Sequence, residues 1–379
     1  MLLSFFMMPL HSVNRHYPTA LAEDIEAFKL ADELGFEEAW IGEHYSAEIE
    51  QISSPLMFLA HMAPQTKRIK LGTGVLPLPL YHPVMAASHI ALLDHLAPGR
   101  LLLGIGTGGL GSDFEVFGTE DADRNAMMLD SIAIMKKIWS SDPPYDIEGK
   151  FWNVKLSKSY WPDLGVGILP KTLTKPHPPL AVSVSSPNSG SMRVAARNDF
   201  MPISANFVAS WVVKTHWETY CDELGKLGKT PDGTKWRVAR SIHVADTDAE
   251  AERVVKKAGG AYDWYYDYMF QVYQRMGAAA LLAPFRDTDP ATITPQMVRD
   301  NFVIYGSPET VARKILELRE EVGPFGTLMM TSHEWEDKPA MRRSMELLAT
   351  RVMPIVNAAL GEAGLGEAGL AEDLPAIAV

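Results

Sequence analysis

Short apolar runs, each about long enough for one buried strand, alternate along the chain with longer stretches whose apolar positions recur at helical spacing. Leu2 to Met7 reads as a strand, followed by an amphipathic segment from Pro18 to Leu34 that stops at Gly35. Strand patterns recur at Glu38 to Ile41, Ile69 to Val75, Leu101 to Ile105, Leu180 to Val184, Phe200 to Ile203, Trp236 to Val244 and Phe325 to Met330. Helical patterns fill the intervals: one opens at Pro55, and others run Val84 to Leu96, Ala122 to Trp139, Gly190 to Arg197, Ala209 to Leu227 and Ser307 to Val322. Parallel strands need crossover connections, so this alternation predicts an α/β fold built on a parallel sheet. Eight rounds of it favour a closed (β/α)8 TIM-type barrel with insertions over an open doubly wound sheet.

Two stretches break the alternation. Residues from about 142 to 179 are rich in Pro, Lys and Trp and read as an insertion. Residues from about 260 to 295 carry Tyr262, Trp264, Tyr265, Tyr266 and Tyr268 and then a Gly-Ala stretch. Beside the C-terminal end of a barrel strand, such a segment is either a lid over a site or a helix packing its aromatics into a core or subunit surface. The remaining pattern predicts one barrel domain over 1–360. A flexible tail is expected at 361–379, where Gly-Glu-Ala-Gly-Leu occurs twice in succession.

Charge and cysteine content narrow the class. The formal net charge is -12 and the basic residues are dispersed, whereas a nucleic-acid partner calls for a basic stripe that neutralises phosphates. Cys221 is the single cysteine, which excludes an intrachain disulfide and a cysteine-rich metal cage. The apolar start, Met1 to Leu10, lacks the positive flank and small-residue cleavage site of a signal peptide, and no stretch approaches the roughly 20 apolar residues of a membrane span. A cytoplasmic protein with neither a nucleic-acid nor a membrane partner is expected.

Several constellations could carry chemistry. Gly104-Ile105-Gly106-Thr107-Gly108-Gly109 follows a strand and would let backbone amides approach an anion, although the spacing is not that of a dinucleotide fingerprint. Glu43-His44 follows the second strand, a position that opens on the catalytic face of a barrel; the histidine is either an acid–base group or a structural one. Ser183, Ser185, Ser186, Asn188 and Ser189 form a hydroxyl-rich turn, suited either to a phosphate or to capping the next helix. The histidines show no HExxH or similar ligand spacing, so no metal site is expected, and no GxSxG elbow points to a hydrolase.

Taken in order, the local motifs resemble those of the bacterial-luciferase-like monooxygenase family and, within it, the limonene-monooxygenase-type branch. The resemblance rests on Phe5-Phe6-Met7-Met8-Pro9-Leu10-His11, Leu34 through His44, Thr66 through Val75, His82-Pro83 and Leu93-Asp94-His95-Leu96. It continues through Gly99-Arg100, Leu103 through Gly108, Ser112-Asp113, His177-Pro178-Pro179 and Gly306 through Ala312, and spans roughly residues 1 to 350.

The resemblance implies a barrel that is usually dimeric, holds a flavin at the C-terminal strand ends and takes reduced FMN from a separate flavin reductase. It implies that O2 adds at the flavin C4a atom and that the resulting peroxyflavin oxygenates a small apolar substrate, of the terpene, ketone or alkane class. By position, His44 matches the family histidine that helps the peroxyflavin form or persist. Gly74-Val75 matches a step, often a cis peptide, beneath the flavin ring. Ser185 and Ser186 match the phosphate turn, with Thr107 and Asp113 in the loop beside it. Gly106 stands where the luciferases carry a reactive cysteine, which weakens any expectation of light emission. Thr107 stands where they carry a phosphate-contacting arginine, leaving Arg193 or Arg197 as substitutes. Phe6, Trp40, Leu76 and Leu78 are expected near the pocket, since a peroxyflavin must be kept from water. Hydride transfer with the deazaflavin F420 on the same fold is the alternative activity. A flavin-binding protein without turnover and a metal-dependent barrel hydrolase are the others.

Overall fold

The computed structural model describes residues 1–361, in which eight parallel strands close into a barrel. They are β1 (Leu2–Met7), β2 (Glu38–Ile41), β3 (Lys70–Pro77), β4 (Leu101–Gly106), β5 (Leu180–Val184), β6 (Met201–Ser204), β7 (Arg237–Val244) and β8 (Thr327–Thr331). Each pairs with its successor, and β8 returns to β1 with Thr327 opposite Leu2 and Thr331 opposite Phe6. Helices follow the strands and cover the outer face, so β2, β4, β7 and β8 are buried at every position. This is the closed TIM-type barrel that the alternation predicts. Among the described residues no helix is long and apolar enough to cross a membrane.

The bounds of β1, β2 and β5 coincide with those read from the sequence, while β3 runs on to Pro77. A short helix at Gly111–Phe117 and a ninth strand, Val303–Gly306, parallel to the end of β7, are absent from the sequence reading. Both are brief: the first lies in a Gly- and Ser-rich stretch, and the second is wedged between two helices whose periodicity absorbs it. The stretch at about 142–179 contains an antiparallel hairpin, Tyr145–Glu148 with Asn153–Leu156, outside the barrel sheet. The tail expected at 361–379 lies, from 362 onward, outside the described residues.

The barrel interior is a core of its own. Trp40, Leu102, Ala181, Ile203, Ala239 and Met329 pack together inside it, separate from the larger core between strands and helices. Trp40 is fully buried and dominates this layer, and glycines on the adjoining strands make the room for it. A Cβ on Gly72 would lie 2.3 Å from the Trp40 ring, and one on Gly104 would lie 1.9 Å from the Thr73 carbonyl oxygen and 3.2 Å from Trp40 Cζ3. The polar contents of the interior are matched to one another. Glu38 receives the Arg237 guanidinium, the Trp40 indole N–H at 3.0 Å and the Ser4 hydroxyl at 3.2 Å.

Gly72→Ala should therefore cost stability although it changes one methyl group. The indole cannot flex away as a long side chain would, and overpacking a filled core costs about 1–3 kcal/mol. A denaturant midpoint equal to that of the wild type would show that Trp40 has space to move.

Candidate active site

Above the Trp40 layer, at the C-terminal ends of the strands, lies a cavity of about 280 Å³. Phe6, Ile203 and Ala239 belong both to its lining and to the interior cluster, so the packed barrel is its floor. Met8, Val75, Pro77, Leu80 and Phe114 contribute apolar wall. The helix Ala261–Arg275 closes another side with Tyr265, Tyr268, Met269, Val272 and Tyr273, positions that recur on one helical face. Trp264 stacks on Tyr268 at 5.8 Å and is not part of the lining.

That helix is fastened to the barrel rim. The Tyr266 hydroxyl donates to Ser241 Oγ at 2.8 Å, the Tyr262 hydroxyl to the Ile242 carbonyl at 3.2 Å, and Asn206 Nδ2 donates to the Tyr265 hydroxyl at 3.0 Å. His333 lies among these rings and meets Ser241 Oγ at 2.8 Å; burial pushes its pKa down to about 3, so it is neutral.

Three residues expected at the pocket lie elsewhere. Trp40 fills the barrel beneath it, and Leu76 and Leu78 are fully buried away from it, whereas Pro77 and Leu80 line it. The pairing of β3 with β4 shifts register between Thr73 and Leu76, where the Gly74–Val75 peptide is cis. An interruption of this kind changes which side chains face inward. Gly74 and Val75 both line the cavity, and a Cβ on Gly74 would come within 2.8 Å of Phe6.

One wall carries the titratable groups. His44 Nδ1 lies 2.9 Å from Asp113 Oδ2, and the same carboxylate accepts the backbone N–H groups of Tyr45 and Ser46 and the Ser46 hydroxyl. Burial pushes the Asp113 carboxyl upward, but these donors prevail and hold it below the usual carboxylate range. An ionised carboxylate accepts only, so Asp113 assigns the proton to Nδ1 of a neutral His44 and leaves Nε2 as the acceptor. Asp113 thus serves the loop after β2 directly. Glu43 accepts from the Tyr81 hydroxyl at 2.8 and 3.0 Å, and burial pushes its carboxyl up to about 8 against the Tyr81 and Tyr45 hydroxyls. Glu50, also in the lining, is 3.6 Å from His44 Nε2.

The serine turn follows β5. Ser183 and Ser185 line the cavity, while Ser186 is exposed just beyond it. The turn is braced from behind: the Trp236 indole donates to Ser204 Oγ at 2.9 Å, Ser204 meets His216 Nδ1 at 2.9 Å, and His216 Nε2 meets the Ser186 carbonyl at 3.0 Å. Burial takes the His216 pKa down to about 4, which keeps it neutral with Nε2–H donating. Arg193 reaches back to the Asn188 carbonyl, beside the turn, whereas Arg197 is paired with Glu223. Thr107 is half-buried and outside the lining; its hydroxyl donates to the Gly108 carbonyl at 3.4 Å. Gly108, Gly109 and Leu110 do line the cavity, and a Cβ on Gly109 would meet nothing within 4 Å, so backbone is open to the cavity there.

Of the residues singled out in the sequence, the structure brings His44, Gly74, Val75, Asp113 and Ser185 to one cavity and leaves Thr107 and Ser186 at its margin. Sequence reasoning missed Glu50, Asn206 and His216. Asn206 follows a barrel strand and could have been flagged by that position alone; Glu50 sits beside the exposed Glu48 in an irregular loop, with no periodicity to mark it.

A model of the luciferase-like monooxygenase family matches residues 1–324. The chain is 31% identical over 360 residues to 4-hydroxyprotoasukamycin monooxygenase of Streptomyces nodosus subsp. asukaensis, covering 94% of this chain and 92% of that one. It is 29% identical over 362 residues to limonene 1,2-monooxygenase of Rhodococcus erythropolis, covering 94% and 87%. Among solved structures it resembles the oxygenating constituent of 3,6-diketocamphane monooxygenase from the CAM plasmid of Pseudomonas putida, a type II Baeyer-Villiger monooxygenase in complex with FMN. The TM-score is 0.85 and the identity 30%, over 94% of this chain and 98% of that one.

Asp113→Ala should destabilise the protein at neutral pH, because two backbone N–H groups, a hydroxyl and an imidazole lose a charged acceptor. Such bonds are each worth about 1.5–3 kcal/mol and are not additive, so a loss of at least about 2 kcal/mol is expected. The folded pKa of Asp113 is depressed, so its contribution is present above the unfolded carboxyl pKa and is lost as pH falls through the folded one. The gap between wild type and variant should therefore narrow in acid, and a gap that is constant from pH 7 to pH 3 would contradict this assignment.

Proposed function

Because the chain belongs to the luciferase-like monooxygenase family, we propose that it uses reduced FMN, delivered by a separate flavin reductase, and O2 to oxygenate a small apolar molecule. The observation that carries this reading is a mainly apolar cavity at the strand ends with His44, held by Asp113, in its lining. The balance is FMNH2 + O2 + S → FMN + SO + H2O: one oxygen atom goes to substrate S and the other leaves as water.

The residues present fit a flavin nucleotide. Gly74 and the cis Gly74–Val75 step offer backbone without a side chain, the Gly108–Gly109 backbone is open to the cavity, and the wall around them is apolar enough for a flat ring. The Ser185 and Ser186 hydroxyls and the amides of their turn suit a phosphate, with Arg193 beside them to supply the positive charge; Arg197 is already paired. Thr107 and Asp113 complete the cofactor loop of this reading, Asp113 through its hold on His44. When bound, reduced FMN supplies two electrons and the C4a position at which O2 is activated. The protein's part is to orient that ring, exclude water and control the proton at His44 Nε2.

The lining favours a terpene, ketone or alkane over a charged substrate, since its side chains are mainly aliphatic and aromatic. A homodimer is supported by Met57, Met85, Leu92 and Leu96, large apolar side chains left exposed on the helices Pro55–Met62 and Pro83–Leu96. The reading puts the reaction in the cytoplasm, in keeping with the single unpaired Cys221.

The test is a panel of terpenes, ketones and alkanes supplied with FMN, NADH and a flavin reductase, with products identified by mass. Oxygen incorporation should require the reductase. Hydride transfer with F420 and no oxygen consumption would replace this reading with the deazaflavin one. In the same assay His44→Ala should bind FMN within a few-fold of wild type yet release hydrogen peroxide at the expense of product, by a factor of about 10²–10⁴ in the coupled rate. Normal coupling in a folded His44→Ala protein would remove this histidine from the chemistry.

Ser185→Ala combined with Ser186→Ala should weaken FMN binding while leaving the melting temperature near wild type. Each lost hydroxyl–phosphate bond is worth about 1.5–3 kcal/mol. Undiminished affinity would mean that the serines merely shape the turn.

A further inference from the structure

Glu50 is the carboxylate of this site for which neither the resemblance nor the reading above has a use. It lies in the loop after β2, is 3% exposed and contributes to the cavity lining. Its buried Oε2 has no hydrogen-bond partner, in contrast to Asp113 with its four donors and Glu43 with its tyrosine. A buried carboxylate without a donor is costly, and two outcomes relieve it: it keeps a proton, or it takes one from a neighbour. The neighbour is at hand. His44 Nε2 stands 3.6 Å from Glu50 Oε2, and Asp113 fixes the opposite side of the ring so that Nε2 is the nitrogen turned toward Glu50.

We propose that Glu50 shares a proton with His44 Nε2, so that Asp113, His44 and Glu50 form one proton-holding unit at the cavity wall. With Asp113 ionised throughout, the shared proton has two seats: the neutral pair His44 with protonated Glu50, and the ion pair of imidazolium with carboxylate. The two differ by transfer of one proton between groups 3.6 Å apart, which must draw together for it, and leave the total charge unchanged. Glu50 is a positioning residue in this scheme, since it acts through His44. Its groups titrate as a pair, with midpoints that belong to both. The charged and titratable groups facing Glu50 are His44 on its own loop, Asp113 on the helix Gly111–Phe117, His11 after β1, and Tyr265 and Tyr268 on the helix Ala261–Arg275. Burial is the largest influence on Glu50 and pushes its carboxyl up to about 7, into the range where imidazole also titrates.

The proposal rests on the oxygenase reading for its purpose, which is to keep a proton ready beside the oxygen that leaves as water. It does not rest on that reading for its test, which uses flavin-free protein. In wild-type protein labelled with ¹³C in Glu and His side chains, the Glu50 carboxyl and the His44 ring should show the same pair of midpoints on titration. In Glu50→Gln the His44 curve should become a single step, moved down by about one pH unit, because an opposite charge close to the ring is gone. Glu50→Asp, which keeps the carboxylate on a shorter arm, should recover part of that shift.

Stability gives a second readout. A carboxyl raised in the folded state adds stability that is full below its unfolded pKa of about 4.3 and is lost as pH rises through about 7. Wild type should therefore lose melting temperature relative to Glu50→Gln across that window and run parallel to it above pH 8. Independent midpoints for Glu50 and His44 in the wild type, or a His44 curve that Glu50→Gln leaves in place, would overturn the proposal. Shared midpoints together with F420-dependent hydride transfer and no oxygen consumption by the wild type would leave the pair standing and refute the oxygenase reading instead.

Discussion

Glu38 and Arg237 enter the barrel interior as a carboxylate–guanidinium pair, and the pair joins distant parts of the chain. Glu38 on β2 and Arg237 on β7 meet inside the ring, and the Trp40 indole and the Ser4 hydroxyl on β1 use the acceptor capacity that remains. Removing one partner of such a pair leaves an uncompensated charge and costs about 3–5 kcal/mol, although the pair as a whole need not outperform an apolar replacement. Its value is in position. By drawing the Trp40 indole N–H toward Glu38, it sets the height at which the ring fills the barrel, and Gly72 follows as a steric consequence. The cavity begins where that filling stops, on the shared residues Phe6, Ile203 and Ala239.

The cavity wall applies the same rule with different outcomes. Asp113 has enough donors to remain ionised, Glu43 has a tyrosine and is raised to about 8, and Glu50 has no partner at its buried oxygen and is raised to about 7. Three acids on one cavity wall thus differ because burial, donors and neighbouring charges weigh differently on each: burial prevails at Glu43 and Glu50 and hydrogen-bond donors prevail at Asp113, with the histidine between Asp113 and Glu50. Acidic sequence composition alone carries none of this information.

The barrel was legible because its signal is repeated. Each strand is a short apolar run bounded by a helix, and even with blurred edges the count and order survive. The candidate site was legible wherever a residue sits at a strand end, as His44, Val75 and Ser185 do, since the topology itself aims those positions at one place. It failed where facing depends on a local irregularity. Leu76 and Leu78 were expected at the pocket as residues at or beyond a strand end, but the pairing of β3 shifts register between Thr73 and Leu76, and it is Pro77 and Leu80 that line the cavity. Trp40 was expected there as a residue at a strand end, yet it packs inside the barrel beneath the cavity, its indole N–H drawn to Glu38. Glu50, Asn206 and His216 matter through contacts with residues far away in sequence, and no local pattern encodes those.

The helix Ala261–Arg275 separates two tasks along its length. Its first half carries the polar fastening: Tyr262, Tyr265 and Tyr266 bond to the barrel rim, and Asp263 pairs with Arg299. Its second half meets the cavity through Met269, Val272 and Tyr273, with Met276 just beyond it, and the Tyr273 ring packs against Phe207 at 5.6 Å. A change among the apolar positions alters the shape offered to a ligand while the hydrogen bonds that seat the helix stay intact. A change at Tyr265 or Tyr266 removes a buried hydrogen bond that seats the helix and so loosens the cover itself. Cavity shape can therefore vary at the apolar positions while the bonds that seat the helix stay in place, and Tyr265, which both lines the cavity and accepts from Asn206, joins the two tasks.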